Sequence, residues 1–527
     1  MKPCSPPVGL ALALTLAIAL LWAAPAHAQR VGTSPFTPPK ADDINFVVDA
    51  AAGLDTACTF RGGGPLRFSI KTTRFIAPTN PDGTLIDAAA LVAAGIVGAT
   101  AKLTMPGFDV DSAATPPPPL QPERDRVLLN GQPIGFLAGV NNAWVMNSFE
   151  IPIERLRFPS RGANGTAPTP VDNPVEIQID TANADEVWCT AVDWAALAIK
   201  ALSPVILIHG NNSDGAFYER MGFTTTLRTR RVAFDNSISM PTDTVAAHAT
   251  LLDTLIPDVT KSFGVDSVHL VAHSKGGLDS RDYLARHQAA HNAVFKVLSL
   301  TTLSTPHNGS VLADVKVEYE AAAARANLVN FNGFPGMVGA LARLTGLDTG
   351  TPNLTTAFAA GFNAGNLGLL PADTTFNTVS ADADTNGNAA MDSTPDEYAE
   401  LRSESTALAN IHSVSTATSR GIVNAMYQTL RTTRAVTVTF TTRTIFGRPV
   451  FTTATITAVP QAAVGNDTLV TIPSGQGAGG LAGRVAKRHT FSGAAGRNHS
   501  NVANGGVASI VLPWIFDIER RNGDLKP

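Results

Sequence analysis

The feature that most constrains the fold of this chain is an apolar run that ends in a serine between small residues. Residues 268–272 read VHLVA, and the letters HSKGG follow at once. An uninterrupted apolar run of this length predicts a parallel strand buried on both faces, and the sequence after it predicts a helix. A tight strand-to-helix turn needs small residues two positions before and after the serine, which Ala272 and Gly276 provide. The pattern predicts a nucleophile elbow at Ser274; the alternative is an ordinary strand-to-helix connection.

Two further apolar runs place the elbow in a larger sheet. Residues 204–208 (PVILI) precede it and residues 297–303 (VLSLTTL) follow it, with helix-like sequence between the runs. Strands that alternate with helices predict an α/β fold with a doubly wound parallel sheet. We assign residues 196–527 to one α/β domain that carries the predicted elbow. Segments near 311–372 and 435–460 read as insertions of the kind that form lids.

The sequence before this domain has a different pattern of apolar and turn residues. Residues 41–195 consist of short strand-like stretches separated by turn residues, and Asn130-Gly131 between two apolar stretches indicates a hairpin. Many short, regularly spaced strands predict an antiparallel β-sandwich, which we assign to residues 29–195. The chain therefore divides into a β-sandwich domain and an α/β domain.

The first residues resemble a targeting segment. Lys2 precedes an apolar run over residues 8–21, and Ala26-His27-Ala28 has the small residues of a cleavage site. We predict a signal peptide over 1–28 and a secreted protein, extracellular or periplasmic. The alternative is an uncleaved anchor, for which the run is shorter than the roughly 20 residues that a spanning helix needs.

Export bears on the cysteines. Cys58 and Cys189 remain after cleavage, and in an oxidising compartment they predict a disulfide; the alternative is two buried thiols. The formal net charge is only −4 and no basic block occurs, so no nucleic-acid partner is expected.

A serine nucleophile needs a base, and in this fold the chain order is serine, acid, histidine. His499 lies on a polar stretch before a final apolar segment, where a late catalytic loop belongs. We therefore predict His499 as the base. The weaker alternatives are His489, in a basic cluster, and His412.

The acid must lie between Ser274 and His499. Asp467 follows Gly465-Asn466 on a predicted turn and is our choice, with Asp382 and Asp384 as rivals. Backbone amides of Lys275, directly after the serine, and Asn211, after the first strand, are the predicted oxyanion donors.

A second polar pattern overlaps the rival acids. Oxygen-bearing side chains alternate and a glycine stands at the sixth position, as at the start of a calcium loop, but the usual twelfth-position Glu is missing. The pattern predicts a Ca²⁺ site, and the alternative is a solvated turn. The predicted ligands are Asp382, Asp384, Asn386, Asn388 and Asp392.

Five blocks in a fixed order carry a family resemblance. They are PVILIHG (204–210), VAHSKGG (271–277), LSTPHNGS (303–310), NDTLVTIPS (466–474) and NHS (498–500). Together they resemble bacterial extracellular lipases and esterases of the α/β-hydrolase superfamily, over about residues 200–515. The resemblance implies Ser274 as nucleophile, Asp467 as acid, His499 as base, no organic cofactor, and His307 as part of a structural turn. The family usually has Gly where this chain has Ala272.

The expected reaction is ester hydrolysis through an acyl-enzyme, with lipids as the favoured substrate class and peripheral contact with a lipid interface. An extracellular polyester depolymerase would use the same triad. An inert secreted binding or adhesion protein, or a peptidase, are the alternatives of another class. Acyl-chain preference and oligomeric state are not encoded in these patterns.

Overall fold

The computed structural model shows two compact units. It describes residues 31–49, 54, 57–184, 188–325, 349–389, 391, 424, 426–431, 436–445, 448–456 and 464–522. The first unit comprises Met1–Thr72, Thr100–Arg157 and Val171–Ile199, and the second comprises Thr73–Ala99, Phe158–Pro170 and Lys200–Pro527. The predicted signal peptide, 1–28, lies outside the described residues.

The described part of the first unit contains ten strands in two sheets. One sheet has the order β1-β10-β4-β9-β2, with β7 also paired to β4, and the other has the order β3-β8-β5-β6. All of these pairings are antiparallel. The strands are β1 (Asn45–Val48), β2 (Thr59–Phe60), β3 (Leu66–Thr72), β4 (Thr100–Phe108), β5 (Arg126–Leu129), β6 (Gln132–Phe136), β7 (Trp144–Pro152), β8 (Val171–Gln178), β9 (Cys189–Val192) and β10 (Ala195–Ala198).

Alternate residues of these strands are buried, such as Phe149 and Ile151 in β7 and Val175 and Ile177 in β8. Because side chains alternate between the faces of a strand, each sheet has one buried face. This is what a β-sandwich requires, and the sandwich itself stays a prediction.

Two local predictions for this unit are confirmed. Asn130 and Gly131 have φ angles of 51° and 76° between β5 and β6, the positive values that a two-residue hairpin turn needs. Cys58 and Cys189 form a disulfide across 131 residues of sequence, with their Cα atoms 5.5 Å apart.

The second unit contains the parallel sheet. Its strands are β11 (Val205–Ile208), β12 (Phe234–Asp235), β13 (Ser267–His273), β14 (Lys296–Leu303), β15 (Thr375–Ala381), β16 (Val436–Ile445), β17 (Arg448–Ile456) and β18 (Val485–Phe491). Its described helices are α1 (Ala88–Ala93), α2 (Phe217–Arg220), α3 (Phe223–Thr229), α4 (Val245–Phe263), α5 (Lys275–Arg286), α6 (Gln288–His291), α7 (Val311–Arg325), α8 (Thr356–Asn366), α9 (Ile472–Gly475) and α10 (Gly505–Asn522).

Six of these strands form one sheet in the order β12-β11-β13-β14-β15-β18, and every pair is parallel. On β13, Leu270 packs in an apolar cluster with Leu252 of α4 and Leu284 of α5. The neighbouring residue His269 faces the other way and contacts Glu519 of α10. Helices therefore cover both faces, which explains why these strands are apolar without alternation and confirms the α/β sheet.

The chain enters the second unit earlier than the predicted boundary near residue 195. The Phe75 N–H donates to the Phe263 carbonyl at 2.8 Å, and Arg161 pairs with Asp235 and stacks over the Phe263 ring. The segments Thr73–Ala99 and Phe158–Pro170 thus belong to this unit, although they lie within the range assigned to the β-sandwich.

The two predicted insertions are partly described. The range 311–372 contains α7 and α8, and residues 326–348 lie outside the described residues. Within 435–460, β16 and β17 form the predicted antiparallel hairpin, and the predicted turn residues Phe446 and Gly447 are not described. None of the described helices is long and apolar enough to cross a membrane.

Candidate active site

The proposed nucleophile lies in a strained turn between β13 and α5. Ser274 has φ 52° and ψ −129°, a conformation that costs about 1–3 kcal/mol for a residue with a side chain. Its N–H donates to the Leu303 carbonyl at 2.9 Å. A Cβ on Gly276 would overlap the carbonyl oxygen of His209, so only glycine fits there. The predicted strand, turn and helix are all present, and the strain falls on the serine.

Three predicted residues come together at this turn. The Nε2 atom of His499 lies 2.9 Å from the Oγ atom of Ser274. The Nδ1 atom of the same ring lies 2.9 Å from Oδ2 of Asp467. Their exposed fractions are 9% for the serine, 6% for the histidine and 1% for the aspartate. A serine with slight access to solvent is thus hydrogen-bonded to a buried imidazole, which is hydrogen-bonded in turn to a buried carboxylate.

The aspartate is held by its own loop. Oδ1 of Asp467 accepts hydrogen bonds from the N–H groups of Leu469 at 3.0 Å and Val470 at 2.7 Å. These bonds leave Oδ2 to accept the Nδ1 proton of His499. The imidazole then carries its proton on Nδ1, and the lone pair on Nε2 faces the hydroxyl of Ser274. This is the tautomer that a general base requires.

A second histidine supports the loop of His499. His273 donates from Nε2 to the His499 carbonyl at 2.8 Å, and its ring stacks on Phe217 with centroids 4.6 Å apart. Burial, with a contribution from the nearby His499, holds the pKa of His273 well below its usual range. His273 is therefore neutral, with the proton on Nε2. The sequence does not indicate this role, because His273 occupies a variable position of the elbow pattern, directly before the serine.

The segments with the predicted oxyanion amides both reach the serine. Lys275 is the first residue of α5, and helix-forming amides in the first turn have no acceptor within the helix. A Cβ on Gly210 would lie 2.7 Å from the Cβ of Ser274, so the loop that leads from β11 to Asn211 passes directly against the serine. The role of these two amides as donors stays a prediction.

The side chain of Lys275 belongs to a cluster that the sequence reading missed. Its Nζ atom lies 2.7 Å from Oδ1 of Asp279 and 2.9 Å from Nδ1 of His248. All three side chains are buried, with exposed fractions of 0%, 1% and 4% for the lysine, aspartate and histidine. The i,i+4 spacing of the lysine and aspartate on one helix was the available signal.

The histidine of the predicted structural turn, His307, and the two alternative bases lie elsewhere. Nδ1 of His307 lies 3.1 Å from Arg281 and Nε2 lies 3.0 Å from the hydroxyl of Thr302, as expected of a structural turn. Burial and the Arg281 charge hold the pKa of His307 well below its usual range. His489 packs on Phe491 in β18, and His412 lies outside the described residues.

The rival acids take part in a turn. Oδ1 of Asp384 accepts the Gly387 N–H at 2.7 Å, and Oδ2 accepts the Ala389 N–H at 2.7 Å. Asp382 accepts the hydroxyl of Tyr427 at 3.2 Å, and burial raises its pKa.

The same loop is the predicted calcium site. Asn386 accepts the Asn388 N–H at 2.9 Å, so its side chain also serves the turn. Among the described residues, the loop acids do not join a group of three His, Cys, Asp or Glu ligand atoms within 4.8 Å of one another. Asp392 lies outside the described residues. The geometry fits the alternative of an Asp/Asn turn, and calcium binding stays a prediction.

Comparison with known proteins gives partial likenesses. No family model matches the chain. Triacylglycerol lipase 2 of Saccharomyces cerevisiae is 48% identical over 52 residues, which are 10% of this chain and 15% of the yeast protein. The match therefore spans a small part of the curated relative.

Among solved structures, the mature Bacillus licheniformis lipase BlEst2 is 18% identical, with a TM-score of 0.35 over 60% of this chain and 92% of that one. EstA of Clostridium botulinum is 12% identical, with a TM-score of 0.35 over 61% of this chain and 88% of that one. These values are too low to support residue roles. The fold assignment rests on the parallel sheet and its elbow.

Proposed function

We propose that this chain is a serine ester hydrolase of the lipase and esterase type. The observation that carries the proposal is the hydrogen-bonded series from Asp467 through His499 to Ser274, with the serine in a strained elbow. A hydroxyl alone is a poor nucleophile, and an oriented neutral imidazole within 2.9 Å removes its proton as it attacks.

In the proposed reaction, the oxygen of Ser274 attacks the ester carbonyl while His499 takes the hydroxyl proton. Amides of Lys275 and Asn211 stabilise the negative oxygen of the tetrahedral intermediate. His499 then gives its proton to the leaving alcohol, and an acyl-enzyme remains. Water attacks this ester with His499 again as base, which releases the acid and restores the serine.

The buried carboxylate of Asp467 stabilises the imidazolium that forms in both steps. Because two backbone N–H groups already hold its other oxygen, the carboxylate keeps its position as the charge on His499 changes. The organic reaction needs no cofactor. The disulfide supports the proposal that the chain is exported, since disulfides persist in oxidising compartments.

Labelling with a fluorophosphonate tests the proposal. We expect one adduct, on Ser274 of the folded protein, and none in Ser274→Ala. Ser509→Ala, at an exposed serine of α10, is the matched control and should label like the wild type. A folded wild-type protein that takes up no label would exclude the hydrolase and favour the inert binding protein.

The substrate class needs a separate measurement. We propose lipid esters, on the 52-residue likeness to the yeast triacylglycerol lipase and on the predicted secretion. Rates on p-nitrophenyl esters of increasing chain length, on a triacylglycerol emulsion and on a polyester film distinguish the alternatives. Turnover of the film without the emulsion would replace lipase by polyester depolymerase, and cleavage of amides alone would indicate a peptidase.

A further inference from the structure

The buried lysine next to the nucleophile has a second connection, through His248. This histidine lies on α4, and its Nε2 atom is 2.6 Å from the carbonyl oxygen of Pro241. A carbonyl only accepts, so Nε2 carries a proton. Its Nδ1 atom lies 2.9 Å from Nζ of Lys275 and 2.9 Å from Oδ2 of Asp279, so the ring contacts both of these side chains.

The two side chains next to Nδ1 form a buried ion pair. The ammonium of Lys275 and the carboxylate of Asp279 lie 2.7 Å apart, and neither side chain is exposed by more than 1%. The histidine therefore links this ion pair to the Pro241 carbonyl.

A second buried histidine holds the same segment from the other side. The Met240 N–H donates to Nε2 of His209 at 2.9 Å, and Nδ1 of His209 lies 2.8 Å from the Gly210 carbonyl oxygen. Because Nε2 accepts, the proton of the neutral ring is on Nδ1 and is donated to Gly210. Burial lowers the pKa of His209, which agrees with a neutral ring.

The peptide group between Gly210 and Asn211 connects His209 to one of the proposed oxyanion amides. The carbonyl of Gly210 and the N–H of Asn211 belong to the same planar peptide, and in the usual trans form they point in opposite directions. A bond that fixes the carbonyl therefore also fixes the direction of the Asn211 N–H. This N–H is the second amide proposed for the oxyanion.

We propose that Lys275, His248 and His209 form a positioning network that aligns the two oxyanion amides with each other through the segment Met240-Pro241. One amide belongs to Lys275 itself, and the other belongs to Asn211 at the far end of the network. The proposal rests on the function proposed above. The three side chains are positioning residues, since they act on the backbone donors and not on the substrate.

Two substitutions of His248 separate its two contacts. The amide nitrogen of Gln can replace Nε2 and donate to Pro241, whereas Asn reaches only the position of Nδ1 beside Lys275. Misplaced oxyanion donors weaken transition-state binding more than substrate binding. We expect His248→Asn to lower kcat by about 10- to 100-fold with little change in KM. His248→Gln should recover most of that loss.

Equal kcat values for the wild type and both variants would overturn the network. It would also be overturned if both variants lost kcat equally. His291→Asn, on the partly exposed helix α6, is the control for a histidine-to-asparagine change and should keep kcat. Fluorophosphonate labelling of the wild type comes first, because failure there removes the proposed function and not the network alone.

A second pair of variants separates positioning from charge balance. Lys275→Met keeps the backbone amide but removes the ammonium from Asp279, which retains its contact with His248, so the variant should unfold at a lower temperature. Adding Asp279→Leu removes this buried carboxylate and should restore much of the melting temperature. If the network positions the amides, kcat stays reduced by about tenfold or more in the double variant. Recovery of both quantities together would show that the cluster only balances charge.

Discussion

Some buried carboxylates of the two units have opposite kinds of partner. In the second unit, Asp467 and Glu519 each contact a histidine and Asp279 contacts a lysine. In the first unit, Glu123 and Asp125 are 1% and 0% exposed and lie against each other. Burial, reinforced by the adjacent acid, raises the pKa of Glu123 to about 9, and burial also raises the pKa of Asp125.

The partner of a buried carboxylate determines whether the carboxylate is charged, and so whether it can take part in catalysis. A buried carboxylate with a cationic or imidazole partner keeps its charge and can stabilise a charge that develops beside it. A buried pair of acids holds a proton at neutral pH and acts as a neutral hydrogen-bonding group. Glu123 accepts the Asp111 N–H at 2.6 Å, and Asp125 accepts the Asp180 N–H at 2.8 Å. We therefore expect the acids of the first unit to hold loops together without a catalytic role.

The largest expected effect comes from the same substitution made in each unit. Asp467→Asn removes the charge that stabilises the imidazolium and favours the wrong tautomer of His499, so kcat should fall by about 10⁴-fold. Glu123→Gln replaces a protonated acid by a neutral amide and should leave kcat unchanged. Steady-state kinetics on one soluble ester, with circular dichroism as the folding control, compares them. A comparable loss of kcat in both variants would contradict the proposed difference between the two carboxylates.

A second comparison tests the assignment of the catalytic acid with Asp384. It is the rival for the acid role, and both of its oxygens already accept backbone N–H groups. Asp384→Asn should lower kcat far less than Asp467→Asn. If the order of the two losses were reversed, the assignment of the acid would be wrong.

A chelator assay on the same preparations tests the predicted calcium site, because unchanged melting temperature and activity would argue against it.

The next effect concerns the stability of the second unit. Oε1 of Glu519 accepts the Ser203 N–H at 2.9 Å and lies 3.0 Å from Nε2 of His269, with the carboxylate and the ring both fully buried. Glu519→Leu leaves these donors without an acceptor and should lower the free energy of unfolding by about 3 kcal/mol. Glu519→Gln keeps one acceptor oxygen and should lose about half as much. Urea denaturation measures both, and equal losses would contradict the contact.

The disulfide gives the corresponding test for the first unit. Cross-linking residues 131 positions apart restricts the unfolded chain, and its loss typically costs about 2–5 kcal/mol. Cys58→Ala with Cys189→Ala should therefore lower the melting temperature of this unit. Reduction of the wild type should reproduce the shift, and the double variant should not respond to reductant. A response of the double variant would implicate some other effect of the reagent.

The smallest expected effect is an opposite pH dependence of the two units. Because the pKa of Glu123 is raised to about 9, its contribution to stability is complete below about pH 4.5 and is lost as the pH rises towards 9. Burial alone would raise the pKa of Glu519, but His269 and Ser203 outweigh it and lower this pKa to about 2. That contribution is present above about pH 4.5 and is lost as the pH falls towards 2.

Thermal unfolding from pH 3 to pH 9 checks the two directions. Glu123→Gln should remove part of the alkaline loss and raise the melting temperature at pH 9 by about 2–4 °C. It should leave the acid side of the profile unchanged. An alkaline loss that persists undiminished in this variant would assign it to another group.

Much of the site was predictable because its constraints are local or depend on chain order. The elbow needs small residues at fixed positions, and Asp467 and His499 follow Ser274 in the order that the fold imposes. The hairpin at Asn130-Gly131 was predictable for the same reason, since two positive φ angles need particular residues. The Asp/Asn loop at Asp384 was ambiguous, because the same side chains that bind calcium also cap a turn.

The remainder depended on contacts between distant residues. His248 lies 27 positions before Lys275, and nothing in either local sequence indicates that the lysine is buried. His273 and His269 read as polar interruptions of an apolar strand, and their partners His499 and Glu519 lie more than 220 positions away. Only the folded backbone shows which polar residues of a strand meet a partner.

The path of the chain between the two units has a consequence for how the protein is made. Thr73–Ala99 and Phe158–Pro170 leave the ribosome before Lys200, yet their hydrogen-bond partners, such as Phe263, emerge later. During synthesis from the N-terminus, these two segments cannot form their native hydrogen bonds until the later residues have been made. A single cut near residue 199 would likewise separate Arg74 from the Leu202 carbonyl, its partner at 2.9 Å. The boundary at which the pattern of apolar and turn residues changes is therefore not a boundary at which the molecule can be divided.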